Sequence, residues 1–412
     1  MKIKPFAAIR PPKDIAHEVA ARPYDVLDSN EAKNEASEKS LLHITKPEID
    51  FSPIADEHSD AVYKKAVDNY KLWKEKGWLV QDSEEYYYVY AQTMGIHTQY
   101  GLAVCCHCDD YLTGKIKKHE LTRKDKEDDR MKHVLTQHAN IEPVFLSYPA
   151  VPDINAIVSK VIATPPEYKF VAEDKVEHTL WVIKDAAVNQ KITRIFADIP
   201  ALYIADGHHR TAAAARVGEE LRKKNPHHTG NEEYNYFLAV IFPDTQLKIM
   251  DYNRVVQDLN GWNALDFVEE VKKSFYVENK GALPYQPDEL HNFGMYLKGT
   301  GLWYSISAKP HTYNNADPIE SLDVTILSRC VLDKILNIKD LRTDKRIDFV
   351  GGIRGLGALK KQVDSGKMVA AFALYPVSMQ QLINIADNGQ IMPPKTTWFE
   401  PKLRSGLFIH EF

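Results

Sequence analysis

One stretch limits the fold more than any other. The apolar run Ala201–Ala205 passes through Asp206-Gly207-His208-His209 into the alanine-rich segment Arg210–Leu221. A five-residue apolar run has the length of a buried strand, and a run dominated by alanine, arginine and leucine has the propensity of a helix. Gly207 between them supplies the backbone freedom of a tight turn. A strand joined so directly to a helix belongs to a domain in which the two kinds of element pack on one another, not to an all-helical or all-β fold.

The same turn concentrates chemistry. A helix start exposes backbone N–H groups without intrahelical acceptors and carries a partial positive charge. Gly207 lets an anion approach the backbone, and Arg210 with two imidazoles adds donors at an exposed turn, so residues 206–210 read as a cradle for phosphate or carboxylate. The plainer reading is that Asp206 caps the helix and the histidines are structural, but capping requires neither two histidines nor an arginine. No glycine-lysine-serine/threonine follows, so this is not a Walker loop, and the G-x-G-x-x-G spacing of a dinucleotide site is absent.

Around this turn the pattern alternates. Val62, Ala66, Tyr70 and Trp73 predict an amphipathic helix between Asp56 and Gly77, and Tyr86–Ala91 and Tyr100–Cys108 read as strands. Further helices are expected after Asp153, over Asp185–Phe196, around Phe267 and over Leu322–Leu336, with strands at Leu180–Ile183, Tyr236–Phe242 and Leu247–Asp251 and a hairpin at Gly299–Gly301. At 412 residues the chain is long enough for two or three domains, and a boundary is placed near residue 250.

Composition removes several classes of function. Basic residues number 52 against 57 acidic, a net charge of −5, so no global positive field gathers nucleic acid or an anionic membrane. No apolar stretch approaches the ~18 residues of a membrane span, and the first residues lack a secretory apolar run. Four cysteines, three of them at Cys105, Cys106 and Cys108, make no disulfide framework, and a cytoplasmic location is expected. The C-x-x-C spacing there invites a zinc reading, but no second pair supplies a tetrahedral site.

Two other clusters carry potential ligands. The segment Lys115–Asn140 holds Lys126, Glu127, Asp129 and Arg130 with His119 and Glu120, and its alternating charges also suit a solvated helix face. Near the C-terminus, Lys395, Lys402 and Arg404 lie among prolines, threonines and Gly406, which suits either a ligand-binding loop or a solvated tail.

The ordered set of motifs resembles a known family. Arg22-Pro23-Tyr24-Asp25-Val26, Leu42-His43, Pro47-Glu48, His119-Glu120 with Thr122, Lys126-Glu127, Asp129-Arg130, Glu142-Pro143-Val144-Phe145, His178 with Leu180-Trp181, Asp206-Gly207-His208-His209-Arg210, Asp348-Phe349-Val350-Gly351-Gly352 and Met392-Pro393-Pro394-Lys395 resemble the bacterial and archaeal family catalogued as domain of unknown function 1015, over nearly the whole chain. The Asp206–Arg210 turn is further similar to the phosphate-binding loop of the ParB/sulfiredoxin-like fold, which includes kinases of free L-serine. His208 stands where sulfiredoxins carry their reactive cysteine, which removes the reductase reading. No helix-turn-helix signature supports DNA partitioning.

The resemblance implies a mixed α+β fold: a ParB/sulfiredoxin-like nucleotide-binding core with additional α/β elements over residues 1–250, and a C-terminal α+β region over 251–412 contributing to the site. It implies a nucleotide-dependent phosphotransferase acting on a small hydroxylated metabolite, with free L-serine the first candidate. ATP or ADP would be the donor, and Mg²⁺ is implied by nucleotide chemistry rather than by any ligand spacing; no protein metal site is expected. The catalytic acids would be Asp25, Glu120 and Asp206, with Asp25 favoured because serine kinases of this fold use an N-terminal acid. Gly207, His208, His209, Arg210, Lys126 and Arg130 would hold the nucleotide, and Tyr24, His119, Lys395 and Lys402 the substrate. The partners are then a small molecule and a nucleotide, with neither nucleic acid nor membrane. Two alternatives stay open: a metal-assisted hydrolase or phosphatase with His208, His209, His119 and Glu120 as ligands, and a non-catalytic regulatory protein that binds a phosphate compound.

Overall fold

Strands whose two faces are both apolar end up covered on both sides, and this accounts for the centre of the first unit. The computed structural model describes all 412 residues, and the chain is mixed α+β. It divides into one unit of Met1–Leu247 with Pro401–Phe412 and another of Lys248–Glu400.

In the first unit, β1 (Ile3–Lys4), β2 (Tyr87–Met94), β3 (His97–His107), β4 (Ile116–Lys117), β5 (Val144–Tyr148), β6 (Tyr168–Val171), β7 (Glu177–Ile183), β8 (Leu202–Asp206) and β9 (Tyr236–Pro243) form one nine-stranded sheet. Its order is β4-β8-β5-β9-β3-β2-β7-β6, with β1 added to β3. The pairs β4–β8 and β5–β9 are parallel and the others antiparallel. Every residue of β9 is buried, as its unbroken apolar sequence requires. Leu102, Val104, Leu146, Ile204 and Phe237 share a core with Ile154 and Ile157 of the helix Pro152–Ile162 and with Ile192 and Phe196 of the helix Ala186–Ala197.

A second cluster joins Ile9, Leu41 and Leu42 to Tyr70 and Trp73 of the helix Asp60–Glu75, and to Ile409. This explains a departure from the expected region 251–412. The last residues pack into the first unit because Ile9 and Ile409 exchange backbone hydrogen bonds of 3.0 and 2.8 Å, Ala21 and Ser405 do likewise, and Ile409 is fully buried. The charged segment also differs from a solvated face. It forms β4 and the helix Lys124–Gln137, which buries Asp129 and His133.

The second unit is built on a six-stranded antiparallel sheet in the order Phe275–Gly281, Leu302–Ala308, Asn292–Leu297, Ala370–Ala373, Tyr252–Val256, Ile347–Gly351. The expected single helix Leu322–Leu336 is an α-helical turn, Asp323–Leu327, continued by a π-helical stretch, Ser328–Asp333. Ser328 donates to the Val324 carbonyl at 2.6 Å, a back-bond that loosens a helical ladder. Cys105, Cys106, Cys108 and Cys330 are all free and buried.

Gly101 of β3 tests the packing between β3 and β9. A Cβ there would lie 2.6 Å from Val240 Cγ1 and 2.7 Å from Phe242 Cζ. Gly101→Ala is expected to destabilise the first unit by about 1–3 kcal/mol, the usual cost of overpacking a closed core, measured as a lowered urea or thermal midpoint. An unchanged midpoint would show that β9 can shift to accept the methyl group.

Candidate functional site

The site begins with a fault in the sheet. The register of β8 on β5 shifts between Ile204 and Asp206, and such irregularities re-aim the following side chain. Gly207 then takes φ 90° and ψ 33°, left-handed values that suit glycine, and a Cβ there would sit 3.1 Å from Arg210 Nε. The helix His208–Lys224 starts two residues earlier than its alanine pattern suggests, which places both histidines in its first turn. No side chain caps it, and its first intrahelical bond runs from Thr211 N–H to the Gly207 carbonyl at 2.9 Å. The N–H groups of His208, His209 and Arg210 therefore have no intrahelical acceptor, at the positive end of a 17-residue helix.

Arg210 is the hub. Its side chain is only 8% exposed, so the expected surface turn is in fact an interior one. Nη1 donates to the Pro143 carbonyl at 2.6 Å, while Nη2 stands 3.7 Å from Asp25 and 3.8 Å from Asp206. Nε has no partner. Burial works against the guanidinium charge, but Asp25, Asp206 and Glu142 outweigh it and hold its pKa above the ordinary value. Burial likewise opposes the charge on Asp206, yet Lys402 at 3.1 Å and Arg210 hold that carboxyl well below the usual range. The Asp206 carboxylate also accepts from Gly207 N–H at 2.9 Å.

Beside this hub the 3₁₀ turn Tyr24–Val26 brings in Tyr24 and Asp25. The Arg130 guanidinium lies over the Tyr24 ring at 3.8 Å and donates twice to Asp129, at 2.8 and 2.5 Å. Tyr63 and His58 also bond Asp129, whose carboxyl is drawn down to about 2; burial alone would raise it, but Arg130 and the Tyr63 hydroxyl prevail. His119 and His208 meet edge to face at 4.6 Å. His208 Nδ1 is 3.9 Å from Glu120, and its buried Nε2 has no partner. Three ion pairs, Arg210–Asp25, Arg210–Asp206 and Arg130–Glu142, and the His208–Glu120 contact thus fall at 3.7–3.9 Å, too long for direct hydrogen bonds.

The structure brings together Tyr24, Asp25, His119, Glu120, Arg130, Asp206, Gly207, His208, Arg210 and Lys402. His209 lies at the edge, where its Nε2 accepts from Arg123 N–H at 3.0 Å. Lys126, expected to hold the nucleotide, faces Glu57 at 3.8 Å on a helix that turns Asp129 and His133 inward. Lys395 belongs to the second unit, where its backbone is left-handed (φ 58°), its carbonyl accepts from Arg254, and its ammonium is 5.7 Å from the Tyr252 ring. Of the hydrolase alternative's ligand set, His119, Glu120 and His208 lie together while His209 is turned to Arg123, and no group of three or more His, Cys, Asp or Glu is arranged to hold a metal.

From sequence, Glu142 belongs to a family motif but carries no role at the site, although it stands just before a strand at the same sheet end as Asp206. Its Oε1 accepts from Tyr24 N–H and from the Ser405 hydroxyl, both at 3.1 Å.

Residues 3–325 match the family described as "Protein of unknown function (DUF1015)". The chain belongs to that family. Curated proteins give this family member no match. Among solved structures it is similar to a conserved hypothetical protein from Pyrococcus furiosus, at 15% identity and TM-score 0.34, over 74% of this chain and 94% of the other. It is also similar to a free serine kinase in complex with AMP, at 14% identity and TM-score 0.36 over 74% and 91% of the two chains. A third is SbnI with C-terminal truncation from Staphylococcus aureus, at 11% identity and TM-score 0.38 over 75% and 87%. No helix of the family member is long and apolar enough to cross a membrane.

The histidines of the site give it a pH signature. Burial holds His208 down at about 4 and His119 at about 3, each below the ~6.5 of an unfolded chain. Between these values the unfolded state binds more protons at these two residues than the folded one, so their contribution to stability is constant above pH ~6.5 and declines as pH falls towards 4. His208→Gln is expected to flatten the slope of unfolding free energy over that window, measured by urea titration from pH 7 to 4.5. A slope identical to that of the wild type would mean that His208 is protonated in the folded protein.

Proposed function

We propose that this protein is a nucleotide-dependent phosphotransferase acting on a small hydroxylated metabolite, with free L-serine the first acceptor to test. The observation that carries this reading is the set of polar contacts held at 3.7–3.9 Å near an uncapped helix start. Buried donors facing carboxylates too far away to satisfy them are spaced for a ligand. Phosphoryl transfer asks chiefly for positioning and for neutralisation of phosphate charge.

The free N–H groups of His208, His209 and Arg210, the unpartnered His208 Nε2 and the Arg210 guanidinium form the donor set for phosphate oxygens. Asp206 is occupied by Lys402 and by Gly207 N–H, which makes it a poor base. Asp25 makes no hydrogen bond to Arg210 and is about one-third exposed, so it is the carboxylate placed to take the acceptor hydroxyl's proton. Glu120, equally open beside His208, is the second candidate. Mg²⁺ would arrive with the nucleotide, its chemistry being to neutralise charge between phosphates, and Asp206 would be the carboxylate to hold it, which leaves Asp25 free to act as base.

With ATP or ADP, Mg²⁺ and L-serine, the protein is expected to form O-phosphoserine. Asp25→Asn should lower kcat by about 10²–10⁴ with little change in KM, the mark of a group acting in the transition state. Product detection by mass spectrometry with a panel of amino acids and small alcohols decides the matter. Nucleotide binding without turnover of any acceptor would leave a regulatory phosphate-binding protein, and phosphate release from a phosphorylated metabolite without nucleotide would make it a phosphatase.

A further inference from the structure

The contact between Arg130 and Glu142 differs from the others in having a free atom on each side. Both hydrogen bonds to Glu142 end on Oε1, and both hydrogen bonds from Arg130 leave through Nε and Nη2. Glu142 Oε2 and Arg130 Nη1 are left facing each other at 3.9 Å, an acceptor without a donor beside a donor without an acceptor. Their side chains are only 7% and 11% exposed. Burial pushes the Glu142 carboxyl up despite Arg210 and Arg130, the condition of an anion short of partners. Tyr24 and Ser405 hold the carboxylate, and the Tyr24 ring and Asp129 hold the guanidinium, so neither group can swing to close the gap.

A cavity of about 40 Å³ adjoins the pair, with Arg130, Glu142 and Arg210 as charged lining and Ile44, Val144 and Phe237 among its apolar walls. It has room for the head of a ligand and nothing bulky, and Arg210 on its wall stands 3.7 Å from Asp25. A lone anion in this place would meet Glu142, and a lone cation would meet two arginines. A ligand carrying both charges on neighbouring atoms satisfies both sides at once.

We propose that Glu142 and Arg130 form the recognition site for the zwitterionic head of an α-amino acid, Glu142 Oε2 accepting from its ammonium and Arg130 Nη1 donating to its carboxylate. The assignment rests on the phosphotransferase reading only in taking this ligand to be the phosphoryl acceptor. Glu142 is then a specificity-determining residue: it separates amino acids from the hydroxy acids that share their carboxylate.

Calorimetry on the full chain with nucleotide present, using L-serine, glycerate and L-serine methyl ester, tests this without any substitution. Glycerate lacks the ammonium and the ester lacks the carboxylate. Serine should bind at least about tenfold more tightly than either, the value of one charged hydrogen bond. Glu142→Gln should bring serine and glycerate to within about threefold of each other. Glycerate binding the wild type as tightly as serine, an undiminished preference in Glu142→Gln, or no binding of any of the three would overturn the proposal. The two readings fail separately: serine binding that depends on Glu142 without phosphoserine formation removes the kinase and keeps the site, whereas phosphoserine formation with an unchanged serine KM in Glu142→Gln keeps the kinase and removes the site.

Discussion

The candidate site depends on one buried cation. Arg210 reaches back from the first turn of its helix to the Pro143 carbonyl, and by doing so fixes the distance between the Asp206 turn and the strand that begins at Val144. Its charge also permits the gathering of Asp25, Asp206 and Glu142, carboxylates that would otherwise repel one another in a poorly solvated place. Gly207 is a condition of this arrangement, since any Cβ at that position would press on the guanidinium. Helix start, turn and acid cluster therefore form one electrostatic unit.

Much of this was legible in the sequence where local rules decide. The apolar run before Asp206, the glycine and the alanine-rich segment specify strand, turn and helix without help from the rest of the chain, and the structure follows them within a few residues. The approach of Tyr24, Asp25, His119 and Arg130 to that turn was indicated by motif order, not by periodicity, which treated the Arg130 segment as an ion-pair stripe.

What stayed hidden was decided by long-range packing. Lys126 and Arg130 lie four residues apart on one charged helix, yet Arg130 turns inward over Tyr24 while Lys126 meets Glu57, because the inward face is chosen by Tyr63 and His58 through Asp129. No pattern of charges could report that. Glu142 was similarly obscured, since a single acid ahead of an apolar strand usually marks only the strand's solvated end. The allocation of residues 401–412 to the first unit follows from the bridges of Ala21 with Ser405 and Ile9 with Ile409, pairings separated by nearly the whole chain.

That return of the chain has a consequence for biosynthesis. Lys402, the partner of Asp206, and Ser405, which holds Glu142, are separated from the rest of the first unit by all of Lys248–Glu400. On the ribosome, the Asp206 turn emerges long before its counter-ion is made. The nascent chain must hold Asp206 with Arg210 but without Lys402 while the entire second unit is translated, and the site acquires its final charge balance only when that last stretch docks.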